Sequence, residues 1–83
     1  MDFRFSDAAA KTISKLDSKT AGRIFKGIVS LPEKGDIKTL DGKHKGQFRL
    51  RIGDWRIIYK VENDIVLIAY ILPRGDAYQD WRN

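Results

Sequence analysis

A short central segment of the chain carries all of its excess positive charge. Residues 42–60 contain six cations and one acid, whereas the rest of the chain holds ten of each, so the net charge of +5 arises here. The cations are Lys43, Lys45, Arg49, Arg51, Arg56 and Lys60. Clustered cations form an electrostatic footprint for an anionic partner such as a nucleic acid. A guanidinium fork matches two phosphate oxygens, which makes phosphate chemistry the first candidate.

Alternation of apolar and polar residues predicts a β-hairpin whose cations share one face. Gly53-Asp54 suits a two-residue turn, and the resulting register places Arg51 directly opposite Arg56, with Arg49 nearby. Like charges in such positions destabilise a sheet by roughly 0.2–1 kcal/mol, which indicates that this face meets something anionic. The alternative is a solvated face on an ordinary hairpin. The opposite face becomes an apolar ladder, with the pairs Phe48–Tyr59, Leu50–Ile57 and Ile52–Trp55.

The C-terminal tail, residues 73–83, also combines cations with aromatic side chains. Arg74, Tyr78 and Arg82 follow a predicted buried strand, and cations with aromatic residues on such a strand-end loop suit phosphate contact and base stacking. Trp81 is interpreted as a residue that caps the core. For Tyr78, core packing and nucleic-acid contact stay equally open.

Composition excludes several other kinds of site. The chain has no cysteine, so a disulfide framework or a thiolate metal site cannot form, and we expect neither metal nor cofactor. Its one histidine, His44, lies in a predicted loop and is interpreted as a surface residue. The longest apolar run, residues 65–72, is too short to cross a bilayer, and the N-terminus lacks a signal-peptide pattern. We therefore expect one domain, residues 1–83, in the cytoplasm and without a membrane partner.

The N-terminal part of the chain predicts an edge strand and two amphipathic helices. Residues 1–5 alternate as a strand does, Ser6 can cap the first helix, and Asp17 or Ser18 can cap the second. Pro32 is expected to end the second helix. The apolar stripes are Ala9, Ile13 and Leu16 in the first helix and Ala21, Ile24, Phe25, Ile28 and Leu31 in the second. Helices joined this closely predict an antiparallel helical hairpin packed on the core.

The remaining segments complete an α+β order. Residues 32–46 contain proline, three glycines and mixed charges, so we expect a connector with little regular structure. Residues 65–72 predict a third strand that is apolar throughout and covered at least partly on both sides. Leu67, Ala69 and Ile71 would fall on the basic side, where the tail is the candidate cover. The predicted order is an N-terminal strand, the helical hairpin and a three-stranded antiparallel meander.

Three motifs occur in an order and spacing that resemble a known superfamily. They are Leu40-Asp41-Gly42, the hairpin sequence FRLRIGDWRIIY of residues 48–59, and Arg74-Gly75-Asp76-Ala77-Tyr78. The matching patterns are Leu-x-Gly, aromatic-Arg-Leu-Arg-x-Gly-Asp-aromatic-Arg-x-x-Tyr and Arg-x-x-x-Tyr. Over essentially its whole length the chain resembles the RelE/ParE toxins of bacterial toxin–antitoxin systems.

This resemblance implies a fold, an activity and a set of partners. The implied RelE-like fold packs the helical hairpin on one face of a single sheet. The implied activity is that of a ribosome-dependent endoribonuclease, an mRNA interferase that cleaves mRNA in the A site, inhibits translation and arrests growth. The implied partners are a cognate antitoxin that holds the toxin inactive, the ribosome and the mRNA.

The resemblance also implies roles for individual residues. It credits Arg49, Arg56, Arg74 and Tyr78 with catalysis; the post-strand arginine stabilises the transition state and the tyrosine does acid/base or stacking work. RNA binding is expected from the other polar residues of the basic segment, Lys43, Lys45, Gln47, Arg51 and Lys60. The chemistry suits these residues, because the ribose 2′-OH is itself the nucleophile and the protein has only to align the attack, stabilise charge and move protons.

Two departures from the family pattern keep other functions open. Gln47 stands where related nucleases often have lysine, and Arg49 replaces another lysine although arginine is a poor general base at neutral pH. One alternative is a ParE-like protein that poisons DNA gyrase. The other is a non-catalytic module that binds RNA or a partner protein through the same face. The combination of Arg56, Arg74 and Tyr78 favours RNA cleavage.

Overall fold

A single five-stranded sheet organises the residues that the computed structural model describes, 2–31 and 34–82. The strands are β1 Asp2–Phe5, β2 Asp36–Thr39, β3 Phe48–Ile52, β4 Trp55–Glu62 and β5 Ile65–Leu72. The helices are α1 Asp7–Ser14, α2 Ser18–Ile28 and α3 Gly75–Arg82, and a 3₁₀ turn spans Gly42–His44. The sheet order is β1-β5-β4-β3-β2, with β1 parallel to β5 and every other pair antiparallel. The predicted α+β class is confirmed.

The β3–β4 hairpin forms in the predicted register. Arg51 pairs with Arg56, and the three pairs of the apolar ladder are all present. Of the two turn residues only Gly53 has a positive φ, 57°, as the predicted turn with glycine first requires. The sheet therefore has an apolar face and, opposite it, the face that carries the arginines.

Both N-terminal helices begin where the sequence predicts. Ser6 and Asp17 are the N-caps, and each accepts a hydrogen bond from the backbone N–H three residues later. The helices end early, α1 at Ser14 and α2 at Ile28. After α1 the N–H groups of Lys15 and Leu16 reach back three residues instead of four and tighten the last turn. After α2 the N–H of Val29 still reaches back four residues, and the tightening begins at Ser30. Pro32, the predicted end of the second helix, lies outside the described residues, as does the first residue of the predicted N-terminal strand.

The helices close the apolar face of the sheet. α1 packs on β1 and β5, and α2 packs on β3. The fully buried residues of this core include Ile24, Ile28, Leu50, Ile57, Tyr59 and Ile68. Burying each such side chain stabilises the fold by roughly 1.5–3 kcal/mol, which outweighs the repulsion between the facing arginines of the other face. Phe25 of the predicted α2 stripe is the exception, since 43% of it is exposed and it contacts Phe5 edge-on.

The predicted connector contains a strand that sequence patterning missed. Residues 36–39 form β2 and pair with β3, so the meander has four strands and the prediction of three was wrong. Ile37 is its only apolar residue, too few to show the alternation of a strand. The main-chain pairing with β3 decides its conformation.

A β-bulge corrects the predicted faces of β5. Ala69 has no partner in β4, and this extra residue reverses the alternation beyond it. Ile71 therefore joins the helix-side core, whereas strict alternation had placed it on the basic side. Ser6 holds the bulge, because its N–H and its hydroxyl donate to the carbonyl oxygens of Ile68 and Ala69.

The C-terminal tail is a helix instead of the expected loop. α3 packs across β4 and β5 on the basic face. It forms a second core from Leu40, Ile58 and Tyr78, bordered by Ala69, Leu72 and Trp81. The prediction that the tail covers this side of β5 is confirmed. Eight residues make a marginal helix in isolation, so these tertiary contacts decide its formation.

Candidate nucleic-acid interface

An open pocket of about 200 Å³ lies on the basic face beside α3. Its walls come from β2, β3, β4 and α3, through the residues Lys38, Arg49, Arg56, Gly75, Tyr78, Gln79 and Arg82. Four of these residues are cations and none is acidic. Cations gathered around a cavity repel one another, so the arrangement is most favourable when an anion occupies the pocket.

Strand register sets the spacing of these cations. Lys38 lies opposite Arg49, and Arg51 lies opposite Arg56, so β2, β3 and β4 each place cations on this face. Neighbouring strands are about 4.8 Å apart, which allows guanidinium groups on adjacent strands to contact one phosphate. The sheet thereby holds the cations on a rigid frame, not on a loop.

Arg49 is largely buried and forms an ion pair. Its side chain is 12% exposed, and Nη2 lies 3.5 Å from Oδ1 of Asp36, which is itself exposed. An ion pair with an exposed partner contributes about 0–1 kcal/mol, so it orients the guanidinium without strongly competing with a ligand. Other N–H groups of Arg49 remain for a ligand, because arginine has five donors.

The β3–β4 turn orients Arg56. Its Nη1 donates to the carbonyl oxygen of Gly53 at 3.1 Å and lies 3.4 Å from that of Trp55. Among the described residues no carboxylate forms an ion pair with Arg56, so its charge is not neutralised within the fold. Nε and Nη2 are available to an anion in the pocket.

Tyr78 joins the core to the pocket. Its ring packs with Leu40 and Ile58 and the residue is only 7% exposed, yet it also lines the cavity. The hydroxyl is buried and finds no hydrogen-bond partner among the residues described. Leaving a buried hydroxyl unpaired costs roughly 1–3 kcal/mol, and because the oxygen is inaccessible, a ligand removes this cost only if the side chains that cover the hydroxyl move. The two interpretations left open for Tyr78 are therefore compatible.

His44 is not the surface residue that its loop position suggested. Its ring stacks on Trp81, with the centroids 4.0 Å apart, and its Nε2 lies 3.2 Å from the carbonyl oxygen of Arg82. The 3₁₀ turn brings His44 under the end of α3, a non-local contact that the sequence does not reveal. Trp81 packs against the second core, which confirms its predicted role.

The other predicted site residues lie outside the pocket. Arg74 is 74% exposed and pairs with Asp76 at 3.6 Å, and Lys60 pairs with Glu62 at 3.2 Å. Arg51 is exposed on the same face, with Nε 3.4 Å from the Gly53 carbonyl oxygen.

Three predicted RNA-binding residues precede β3. Lys43 and Lys45 are exposed in and after the 3₁₀ turn. Gln47 is half-buried, and its Oε1 is inaccessible and has no partner among the described residues. The structure thus brings together Arg49, Arg56 and Tyr78 and leaves the rest of the predicted set around them.

Two polar residues of the pocket, Lys38 and Gln79, were not predicted, and Arg82 was predicted only as one of the cations of the tail. Lys38 gave no signal, because β2 itself was not predicted. Arg82 could have been placed with Tyr78, since it follows Tyr78 at the i+4 spacing that places side chains together on a helix. That inference required the tail to be assigned as a helix.

Two further observations concern the described part of the chain only. None of its helices is long and apolar enough to span a membrane. Its His, Asp and Glu side chains form no group of three that could hold a metal ion.

Comparisons with known proteins give a family match and several structural matches. The family model described as the ParE toxin of the type II toxin–antitoxin system, parDE, matches residues 3–78. No curated protein matches the sequence.

The structural matches cover nearly the whole of both chains. A chain of the RelB–RelE antitoxin–toxin complex from Methanococcus jannaschii is 25% identical with a TM-score of 0.73, covering 94% of this chain and 98% of that one. The archaeal RelE–RelB complex from Pyrococcus horikoshii gives 27% identity and a TM-score of 0.70, covering 89% and 94%. The toxin–antitoxin complex RelBE2 from Mycobacterium tuberculosis gives 23% identity and 0.74, covering 88% and 96%, which shows a shared fold.

Proposed function

We propose that this chain, which belongs to the ParE toxin family of type II toxin–antitoxin systems, is an endoribonuclease that cleaves mRNA in the ribosomal A site. The observation that carries the proposal is the pocket with four cations, no acid and the buried, unpaired hydroxyl of Tyr78. RNA supplies both the phosphate that neutralises the cations and the oxygen atoms that accept hydrogen bonds from them.

The proposed reaction uses the substrate's own ribose. The 2′-oxygen attacks the adjacent phosphorus as its proton passes to water, the bond to the 5′-oxygen breaks, and that oxygen takes up a proton from the protein, which is restored from water. The products are a 2′,3′-cyclic phosphate and a 5′-hydroxyl end. Negative charge grows on the non-bridging oxygens during the attack, and donors fixed around the phosphate stabilise the transition state more than the ground state.

Each pocket residue suits one part of this reaction. Arg49 and Arg56 stay protonated at neutral pH, so they bind and stabilise the phosphate and do not transfer its protons. The hydroxyl of Tyr78, free of partners within the described fold, is the group assigned to donate a proton to the leaving 5′-oxygen, which requires the side chains that cover the hydroxyl to move when RNA binds.

The exposed cations around the pocket are assigned to the flanking strand. Lys45 and Arg51 lie on the surface where the RNA backbone would continue. For Arg74 to stabilise the transition state, its side chain must leave Asp76, and breaking such an exposed pair costs only about 0–1 kcal/mol. Gln47 would act through its amide NH₂ group, because its Oε1 is buried.

The proposal includes two protein-level partners. A cognate antitoxin would hold the toxin inactive, in line with the toxin–antitoxin complexes among the structural matches. The ribosome would present the mRNA, which places the reaction in the cytoplasm.

Inhibition of DNA gyrase is the second candidate, because the matching family model is that of ParE. A gyrase inhibitor needs a protein-binding surface but no arrangement for phosphate transfer. The two candidates differ in what the cationic pocket contacts, and activity assays separate them.

The deciding experiment is primer extension on a message translated in a purified system, with a gyrase supercoiling assay in parallel. We expect cuts within the A-site codon that depend on ribosomes and disappear with Arg49→Ala, and unchanged supercoiling. Lys11→Ala, which removes one exposed cation from α1 on the helix side of the sheet, is the control. An intact message together with inhibited supercoiling would overturn the proposal and favour the gyrase function.

A further inference from the structure

The two arginines at the ends of α3 differ in where their side chains lie. Arg74, just before the helix, is mostly exposed and forms an ion pair with Asp76. Arg82, the last residue of the helix, is half-buried and lines the pocket together with Arg49 and Arg56. Within residues 2–31 and 34–82 no acidic side chain pairs with Arg82. The pocket therefore contains a guanidinium that the family motif does not supply.

Helical spacing places Arg82 and Tyr78 on the same side of α3. Residues four apart lie on one face of a helix, so Tyr78 and Arg82 project from α3 in the same direction and both reach the pocket. An anion in this cavity therefore has Arg82, Arg49 and Arg56 around it.

His44 holds the end of the helix that carries Arg82. Carbonyl groups in the last turn of a helix have no intrahelical partner, and the carbonyl of Arg82 is one of them. His44 Nε2 lies 3.2 Å from that oxygen, and because a carbonyl only accepts, Nε2 is the nitrogen that carries the hydrogen. The stacking of the imidazole on Trp81 fixes the ring in this position.

We propose that Arg82 is the third phosphate-binding guanidinium of the pocket and that His44 is a positioning residue acting through the last turn of α3. The inference rests on the proposed function, since the ligand is a phosphate of a single-stranded RNA. It adds to the proposed function a contact between the RNA phosphate and Arg82 of α3.

Salt-dependent RNA binding tests the role of Arg82. The probe is a single-stranded 2′-O-methyl RNA dodecamer, which cannot be cleaved through its 2′-oxygens, and affinity is measured by fluorescence anisotropy across a series of salt concentrations. Arg82→Ala is expected to weaken binding about tenfold and to reduce the slope of log affinity against log salt by about 0.7, the value for one phosphate contact on a single strand. Lys11→Ala, with the same loss of charge on exposed α1, should keep the wild-type slope.

Two outcomes of the binding measurement would contradict the role of Arg82. If the wild-type chain binds and Arg82→Ala keeps its affinity and slope, Arg82 is not a phosphate contact and this inference fails alone. If the wild-type chain shows no measurable binding to the dodecamer at low salt, the pocket does not hold single-stranded RNA by itself and this inference fails, whereas the ribosome-dependent cleavage assay decides the proposed function separately.

A double-mutant cycle tests the role of His44. His44→Ala should weaken RNA binding several-fold in the wild-type background and have no further effect when Arg82 is already alanine. An equal loss in both backgrounds would show that His44 supports the fold in general and does not position Arg82.

Two conservative variants separate the hydrogen bond of His44 from its stacking. His44→Gln keeps a donor at the position of Nε2 and should retain most of the affinity. His44→Phe keeps a ring on Trp81 without a donor and should lose affinity as His44→Ala does. Wild-type binding by His44→Phe would contradict the positioning hydrogen bond.

Discussion

The two faces of the sheet are built from the same strands but differ in what they bury and what they expose. On one face α1 and α2 cover an apolar core that water does not reach. On the other, α3 covers only part of the surface and leaves a cationic pocket beside it. Side chains alternate along a strand, so the adjacent residues Arg56 and Ile57 point to different faces. Arg56 lines the cationic pocket and Ile57 is buried in the core. The stability gained on one face allows unneutralised charge to be held rigidly on the other.

Substitution of the neighbours Arg56 and Ile57 should give the largest contrast between the faces. Arg56→Ala is expected to reduce mRNA cleavage by about 10²–10³-fold, as removal of one donor to a transition-state oxyanion does, with little change in the free energy of unfolding. Ile57→Ala should instead lower that free energy by about 2–5 kcal/mol, because Ile57 is fully buried in the core. The measurements are primer extension and urea unfolding.

Two results for Arg56→Ala would contradict this division between a functional face and a stabilising face. A folded Arg56→Ala variant with wild-type cleavage would remove the cationic face from the mechanism. Unfolding of that variant would show that the face is also required for stability.

Two buried tyrosines on opposite faces offer a second contrast with a smaller expected effect. Tyr78→Phe removes the unpaired hydroxyl from the pocket and should reduce cleavage about 10–100-fold while leaving stability unchanged or slightly higher. Tyr59 lies in the helix-side core, where burial raises the pKa of its hydroxyl. Tyr59→Phe should therefore leave cleavage unchanged. A loss of cleavage with Tyr59→Phe but not with Tyr78→Phe would reverse the assignment of the faces.

The smallest effect is expected at the N-cap of α2, on the helix side of the sheet. Hydrogen bonds from the side chain and the backbone N–H of Thr20 hold the pKa of Asp17 below its usual value. Because the folded pKa is depressed, this stabilisation is present above the unfolded pKa and is lost as the pH falls through the folded one. Asp17→Asn, which keeps an acceptor without the charge, should lower Tm slightly at neutral pH and not at strongly acidic pH. Thermal unfolding at both pH values checks this, and an equal difference in Tm at both would contradict it.

Sequence patterns predicted the features that depend on residues close together in the sequence. The hairpin register, its facing arginines and the caps Ser6 and Asp17 follow from alternation, turn chemistry and side-chain acceptors, and all are observed. The family motif added the single sheet with helices on one face.

The remaining features depend on contacts between distant parts of the chain. β2 exists through pairing with β3, and the bulge at Ala69 is held by Ser6, which lies more than sixty residues away. α3 forms on a core that becomes visible only once the sheet is assembled. The same holds for the pocket, because Lys38 lies on β2 and Arg82 on α3. The sequence therefore identified the arginines of the hairpin and the cations of the tail, but it did not predict Lys38 or the position of Arg82 beside the hairpin.

The most direct test of cleavage by the 2′-oxygen removes that oxygen from one nucleotide of the substrate. A message with a single 2′-deoxynucleotide at the position 5′ to the cut is translated in the purified system beside the all-ribose message, and the ends are mapped by primer extension. The account predicts that cleavage disappears at the deoxy position alone, and that the all-ribose product carries a 2′,3′-cyclic phosphate and a 5′-hydroxyl. Equal cleavage of both messages would contradict attack by the 2′-oxygen in the cationic pocket.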